Sequence, residues 1–303
     1  MMVVSHSDDE VLFAGGQMAR MRKLCIVHTT DGARSRGAAA ERGFASRRAY
    51  ARAREAELRA ALAAGGIEAE CINFGYRDSA LCLRLGAAVR RLARLIDARK
   101  PEVLLTQAYD GGHIDHDTTA AVVQFALERC EHRPAVWEMG GYYVADGEKS
   151  RHRLLPREGD AGIVITLAEA ERARKAAMLA RFESQQYVVR NFGVESEVLR
   201  EVLPHDFGVP PLVGRLGYDD VGRGVDPVVW RALVSAHQRR REGMLTGTAR
   251  LLLPWVAMWL LIVTRRQRRL HPRAGRPIER ICLVAVKMAR RGTGRWVLEA
   301  EKS

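Results

Sequence analysis

Short apolar runs alternate with longer amphipathic segments along most of the chain. The apolar runs predict strands at residues 2–5, 24–29, 69–74, 101–107, 135–143 and 162–166. The amphipathic segments predict helices at residues 49–64, 85–98, 118–129 and 167–181. Because strands alternate with helices, we expect an α/β fold, a Rossmann-like three-layer sandwich around a mostly parallel sheet.

Two of the predicted strands end in polar clusters that contain histidines and acids. HSDDE, at residues 6–10, follows the first strand, and HIDHD, at residues 113–117, follows the strand near residue 105. The carboxyl ends of parallel strands meet at one edge of the sheet, where open α/β folds bind their ligands. Two histidines and a carboxylate form a zinc-binding set with a position left for water, and a spare carboxylate can act as a general base. The two clusters therefore predict metal-assisted hydrolysis.

The charge is distributed unevenly along the chain. The formal net charge is +13, and residues 230–303 contain 17 Lys and Arg against 4 Asp and Glu. The preceding 229 residues contain 32 charges of each sign. This asymmetry divides the chain into an α/β domain at residues 1–229 and a basic, partly apolar helical extension at residues 230–303, which begins with a predicted helix at residues 230–242.

The basic extension contains two apolar runs between arginines, at residues 251–263 and 278–289. The first run is shorter than the roughly 20 residues of a membrane span and includes a proline. Three interpretations stay open: helical packing on the α/β domain, binding to an anionic membrane surface, and binding to nucleic acid. Nucleic acid is disfavoured because the runs offer neither stacking aromatics on a sheet nor a polar recognition helix.

Cysteine usage and the N-terminus indicate a cytoplasmic protein. The five cysteines have no paired spacing and no CxxC motif, so we expect neither a zinc ribbon nor a disulfide framework. The first residues lack the basic region and long apolar stretch of a signal peptide. Because the extension is basic, a cytoplasmic protein bound peripherally at the inner membrane face is a second form of this expectation.

The polar clusters and several other segments resemble the PIG-L/LmbE-like zinc-dependent N-deacetylases. SHSDDEVLFAGG is similar to the family signature (P/A)HPDDE, and GGHIDHD is similar to its HxDH signature. Weaker similarities lie at TDG, RAREAELRAALAAGGI, KAAMLARFESQ and HDFGVPPLVGRLGYDD. Together these segments cover about residues 1–222 in the family's order.

This resemblance implies roles for individual residues in the two clusters. His6, Asp9 and His116 would bind one zinc ion per chain. Asp8 would be the general base that takes a proton from water. His113 would stabilise the oxyanion or protonate the leaving amine.

The resemblance implies roles for three further residues, and the chain departs from the family pattern at two positions. Asp115 would orient a histidine, and Arg54 and Asp78 match positions that contact the sugar in some members. Ser7 replaces the usual proline, which removes a rigid φ but no ligand. Some members have a tyrosine where this chain has Gly111, so more of the transition-state stabilisation would depend on the histidine and zinc.

The sequence as a whole predicts a zinc-dependent enzyme that hydrolyses the N-acetyl group of an N-acetylhexosamine and releases acetate and a free amine. A lipid-linked sugar or another large glycoconjugate is one form of substrate that this prediction includes. An amidase for a thiol-sugar conjugate is one alternative, and analysis of the released acid separates the two. A non-catalytic, membrane-associated binding protein is another alternative. The presence of all presumed ligands and the presumed base argues against it. The sequence does not predict an oligomeric state.

Overall fold

The structure is a computed structural model that describes residues 1–145, 148–219 and 225–241. Nearly all of these residues belong to the first of two compact units, Met1–Gln238. The apolar runs at residues 251–263 and 278–289 lie outside the described residues, and so do the interpretations that depend on them. Among the helices in the described ranges, none has both the length and the apolar character that crossing a membrane requires.

Within the residues that the structure describes, nine strands form one large sheet and one small sheet. They are β1 Met2–Val4, β2 Leu24–Thr30, β3 Ala69–Tyr76, β4 Val103–Gln107, β5 Ala135–Met139, β6 Tyr142–Ala145, β7 Glu148–Arg151, β8 Ile163–Thr166 and β9 Ser196–Glu201. The large sheet has the order β3-β2-β1-β4-β5-β9-β8, and β6 and β7 form an antiparallel pair. The first five strands are parallel, whereas β9 is antiparallel to both β5 and β8. The predicted, mostly parallel α/β sheet is confirmed.

Helices lie on both sides of this sheet. They are α1 Asp9–Ala14, α2 Arg36–Glu41, α3 Arg47–Gly65, α4 Leu85–Arg99, α5 Ile114–Leu127, α6 Glu169–Leu179, α7 Gln186–Val189 and α8 Pro227–Arg241. Single 3₁₀ turns occur at Met18–Arg20, Leu81–Arg84 and Glu183–Gln185. α3 packs against α6, and α4 packs against α5. One core cluster joins residues of β1, β2, α1, α3 and α6.

The helix α3 carries one of the predicted site residues and has clear sequence signals at both ends. Ser46 caps its first turn by accepting a hydrogen bond from the backbone N–H of Ala49. Gly66 ends it in the left-handed conformation, with φ of 63°. Arg54 and Leu58 both lie on the buried face, because residues four apart share one side of a helix.

Two predicted boundaries are wrong, and both errors have a local cause. The apolar run at residues 135–143 is not one strand, because Gly140 and Gly141 separate β5 from β6. The helix predicted from residue 118 already begins at Ile114. Its first turn contains Asp115 and Asp117, whose charges favour a helix N-terminus but which interrupt the apolar period.

The order of the strands determines where a ligand can bind. β1 lies at the middle of the parallel strands, with β2 on one side and β4 on the other. The chain connections therefore diverge at β1 and β4, which leaves a crevice outside the carboxyl ends of these two strands. HSDDE directly follows β1, and HIDHD lies shortly after β4.

Candidate metal and catalytic site

The two polar clusters meet at this crevice, and buried polar side chains join the ends of the two strands. Ser5, after β1, donates a hydrogen bond to Oε1 of Gln107, at the end of β4, over 2.6 Å. Gln107 in turn donates through Nε2 to Oδ2 of Asp9 over 2.8 Å. This link fixes the HSDDE cluster relative to β4.

Three histidines converge at the centre of the crevice. The ring centroids of His6 and His113 lie 4.8 Å apart, and those of His113 and His116 lie 5.1 Å apart. One potential ligand nitrogen from each of the three rings lies within 4.8 Å of the others. His6 and His116 are buried, whereas His113 is half-buried and borders the opening.

Asp9 lies between two of these histidines. Its Oδ1 is 3.3 Å from Nε2 of His116, and its Oδ2 is 3.3 Å from Nδ1 of His6. Burial by itself would raise the pKa of Asp9, but the charges of His116 and His6 outweigh it and hold the pKa well below its usual value. Asp9 is therefore a carboxylate with imidazoles on both sides.

Two further acids lie at the other ring nitrogen of His6. Its Nε2 is 3.4 Å from Oδ2 of Asp115 and 3.8 Å from Oδ2 of Asp78. The backbone N–H groups of Ser79 and Leu81 donate to Asp115 and fix its orientation. Burial would raise the pKa of Asp78, but the charge of His6 contributes most to lowering it to about 2. The orienting contact that was expected for Asp115 therefore involves His6.

Asp8 lies beside Asp9 and His6 and is paired with a buried arginine from α3. Nη2 of Arg54 is 2.9 Å from Oδ1 of Asp8. The same guanidinium donates to the carbonyl oxygens of Ser7 and Gly32. Burial raises the pKa of Asp8 to about 7, although the charge of Arg54 opposes the shift. A carboxyl group with this pKa can both accept and return a proton near neutrality.

His113 caps the N-terminus of α5, and this contact orients its ring. Its Nδ1 accepts a hydrogen bond from the backbone N–H of Asp115 over 3.1 Å. Burial and the charges of His6 and His116 lower the pKa of His113 well below its usual value, so the ring is neutral. In a neutral ring whose Nδ1 accepts, the proton is on Nε2, which is then a hydrogen-bond donor.

All the residues that the sequence predicted for the site lie at this crevice. They are His6, Asp8, Asp9, Arg54, Asp78, His113, Asp115 and His116. The metal ligands and catalytic roles assigned to them stay predictions. For the sugar contact assigned to Arg54, the geometry adds that the guanidinium is only 4 % exposed and already has three protein partners.

Sequence reasoning missed other residues at the crevice. The ring of Tyr142, on β6, lies edge-on to His116 with the centroids 5.4 Å apart. Glu10, the last residue of the HSDDE cluster, has its Oε2 2.9 Å from Nε2 of the buried His28. The sequence places Glu10 in the cluster, but nothing local indicates its pairing with His28 or the return of Tyr142 to the same crevice.

The donor set is suited to zinc. Zinc in proteins takes four N, O or S ligands at about 2.0–2.3 Å, so adjacent N and O ligands of a tetrahedral ion lie about 3.3 Å apart. The separations between Asp9 and the two histidines, 3.3 Å each, match this spacing. The ionised state of Asp9 is the state in which a carboxyl group binds a metal. His6, Asp9 and His116 therefore fit the ion through contacts that Asp9 makes with a different oxygen to each histidine. Two other sets also place one possible ligand atom per residue within 4.8 Å of the others, His6 with His113 and His116, and His6 with Asp78 and Asp115.

An open α/β sheet with buried acids and histidines at its switch point is typical of a ligand-binding or catalytic α/β protein. Comparison with protein families is more specific, because residues 1–127 match the PIG-L model, described as GlcNAc-PI de-N-acetylase. The matched part of the chain includes both polar clusters. No match was found among curated proteins.

Solved structures of deacetylases share the fold. A40926 pseudoaglycone deacetylase is 19% identical, with a TM-score of 0.50 over 67% of this chain and 98% of its own. A teicoplanin-pathway deacetylase in a "bog" complex is 18% identical, with a TM-score of 0.52 over 67% of this chain and 99% of its own. The zinc-inhibited form of teicoplanin deacetylase is 16% identical, with a TM-score of 0.51 over 68% and 98%. At these identities the likeness establishes the fold.

Proposed function

We propose that the protein is a zinc-dependent N-deacetylase that hydrolyses the acetamide of an N-acetylhexosamine. The observation that carries this proposal is the position of Asp8, a carboxyl group with a pKa of about 7, beside a cluster of three histidines and Asp9. A proton acceptor next to a metal-binding set is the arrangement that metal-assisted hydrolysis of an amide needs.

His6, Asp9 and His116 would bind the metal ion, and the ring of His113 lies beside those of His6 and His116. Zinc, when bound, polarises a carbonyl oxygen and lowers the pKa of water. Asp115, which is fixed by two backbone N–H groups, keeps the ring of His6 in place.

The chain's own side chains then handle the protons. Asp8 accepts the proton of the attacking water as the water oxygen bonds to the amide carbon. His113, with its proton on Nε2, donates a hydrogen bond to the oxygen on which negative charge develops. When the C–N bond breaks, Asp8 returns its proton to the leaving nitrogen, so the products are acetate and a free amine. Arg54 holds the Asp8 carboxyl in position throughout.

The substrate class follows from the family description, which names a de-N-acetylase that acts on a GlcNAc group. Among proteins with the same fold, the solved structures described as deacetylases support the same reaction. An amidase that acts on a thiol-sugar conjugate would use the same groups, and it would release a larger acid than acetate. Acetate release from N-acetylglucosamine-containing substrates therefore distinguishes the two.

The direct experiment combines metal analysis with an acetate assay. We expect His116→Ala to lose bound zinc, because it removes a ligand nitrogen. We expect Asp8→Asn to retain zinc and lose about 10²–10⁴-fold in turnover, the usual contribution of a general base. His113→Ala should lower kcat more than it raises KM. His132→Ala is a matched control, because His132 bonds to the Pro101 carbonyl oxygen instead of a site residue. Wild-type zinc content in His116→Ala would contradict the ligand assignment.

The basic extension at residues 230–303 is proposed to bring the site to an anionic membrane surface. Its 17 Lys and Arg against 4 Asp and Glu support this proposal, because each basic residue near an anionic surface contributes about 1 kcal/mol of attraction. A cytoplasmic enzyme at the inner membrane face could then reach a lipid-linked sugar. Co-sedimentation with anionic liposomes that weakens as salt increases is the expected result. The membrane proposal would be refuted if the same fraction of the protein sedimented with neutral liposomes as with anionic ones.

A further inference from the structure

A buried set of hydrogen bonds connects the start of α5 to a segment about 100 residues further along the chain. The hydroxyl of Tyr218 donates to Oδ2 of Asp117 over 2.6 Å, and both side chains are buried. The other oxygen of Asp117, Oδ1, accepts from the backbone N–H groups of Asp110 and Gly111. Asp117 immediately follows His116, and the two N–H groups precede His113 by only a few residues.

The backbones of the two segments are also in direct contact. The N–H of Gly217 donates to the carbonyl oxygen of Gly111 over 2.8 Å. A Cβ atom on Gly217 would lie 2.7 Å from the carbonyl oxygen of Gly112, closer than real Cβ contacts allow. On its other side, a Cβ on Gly112 would lie 1.8 Å from the carbonyl oxygen of Tyr142. The loop before His113 is therefore held between two other parts of the chain.

A second contact fixes the same turn of α5. Trp230, which is fully buried, donates through Nε1 to Oγ1 of Thr118 over 2.7 Å. The Thr118 hydroxyl donates in turn to the carbonyl oxygen of Ile114. Tyr218 and Trp230 both come from beyond residue 127, where the family match ends.

We propose that Tyr218 is a positioning residue for the histidines of the site. By fixing one oxygen of Asp117, Tyr218 holds the other oxygen against the loop before His113. Loop and helix then keep one geometry, so the rings of His113 and His116 stay directed at the crevice. The reason is general: groups that orient a ligand's side chain affect metal affinity and activity without touching the metal. This inference rests on the proposed function, because it concerns how that site is held.

The test measures cobalt(II) binding to the metal-stripped full-length protein, from the absorbance of the bound ion. We expect Tyr218→Phe to bind cobalt about 10–100-fold more weakly than wild type, with an altered absorption spectrum. Asp117→Asn, which removes one acceptor oxygen, should weaken binding in the same direction and serves as a second variant if Tyr218→Phe does not fold.

Tyr109→Phe is the matched control. It also removes a hydroxyl, which here donates to the carbonyl oxygen of Val209 over 2.8 Å and accepts from Arg231 over 3.2 Å, and it leaves the hydrogen bonds of Asp117 intact. A purely structural role for Tyr218 predicts that Tyr109→Phe and Tyr218→Phe lower thermal stability alike and that neither changes cobalt affinity, which would overturn the proposal. His116→Ala distinguishes this failure from failure of the proposed function. If His116→Ala binds cobalt like wild type, the metal site is wrong and the positioning role falls with it.

Discussion

Arg54→Met would remove the cation that is buried beside the proposed general base. Arg54 and Asp8 are 4 % and 5 % exposed, and their charged groups are 2.9 Å apart. The substitution leaves the Asp8 carboxylate without its cation and removes the donors to the carbonyl oxygens of Ser7 and Gly32. Breaking a buried ion pair from one side costs about 3–5 kcal/mol, mainly because the remaining charge stays buried without a partner. We therefore expect the free energy of unfolding to fall by about that amount.

The assay is equilibrium unfolding in urea at about pH 9, above the pKa of about 7 that burial gives Asp8, so that the carboxyl group is ionised in the wild type. Unfolding is followed by tryptophan fluorescence, with a chelator present so that bound metal does not contribute. Arg59→Met is the matched control on the same helix. Arg59 forms an ion pair with Glu55, but its side chain is 73% exposed, so a loss below about 1 kcal/mol is expected.

A double variant tests the cause of the loss. Arg54→Met combined with Asp8→Asn should be less destabilised than Arg54→Met alone, because the charge without a partner is then gone. The ion-pair explanation is refuted if Arg54→Met lowers the free energy of unfolding no more than Arg59→Met does. It is also refuted if the double variant loses the sum of the free energies that Arg54→Met and Asp8→Asn each lose alone.

Two other buried ion pairs give further predictions. Lys175→Met leaves Glu197, its fully buried partner at 2.9 Å, without a cation, and should lower the free energy of unfolding by about 3–5 kcal/mol in the same urea assay. The double variant Lys175→Met with Glu197→Gln should recover part of this stability. No recovery would contradict the ion-pair explanation. Burial would raise the pKa of Glu138, but hydrogen bonds from His205 and Arg200 outweigh it and lower the pKa below 4.5. The ionised Glu138 therefore stabilises the fold above about pH 4.5, and this stabilisation is lost as the pH falls below that value. The difference in free energy of unfolding between wild type and Glu138→Gln should shrink between about pH 6 and about pH 3. A constant difference would show that the charge of Glu138 does not stabilise the fold.

Local sequence determined much of the fold and the position of the site. The apolar runs that predict β1, β2 and β4 are buried along nearly their whole length, as strands covered on both faces of a sheet are, whereas the edge strand β3 is mostly exposed or half-buried. Since both polar clusters follow such strands, their meeting at one sheet edge follows from topology. That is why the six predicted residues of the two clusters lie together, although up to 110 positions separate them in the chain.

Local signals failed where a partner distant in sequence decides the structure. The helix α5 begins at Ile114 because His113 can cap it, and histidine is not among the residues that usually predict an N-cap. Nothing in the sequence indicated that Arg54 pairs with Asp8, which lies 46 residues earlier in the chain. Nothing around Tyr142 indicates that its ring lies beside His116.

The chain alone therefore determined the chemistry, since residue types and strand ends are local properties. Only the tertiary structure decided how that chemistry is held. Tyr218 reaches Asp117 across 101 residues, and the pairing exists because the segment that contains Gly217 packs backbone to backbone on the loop before His113. Such close packing depends on the shape of both surfaces once they are folded, which no pattern within either segment encodes.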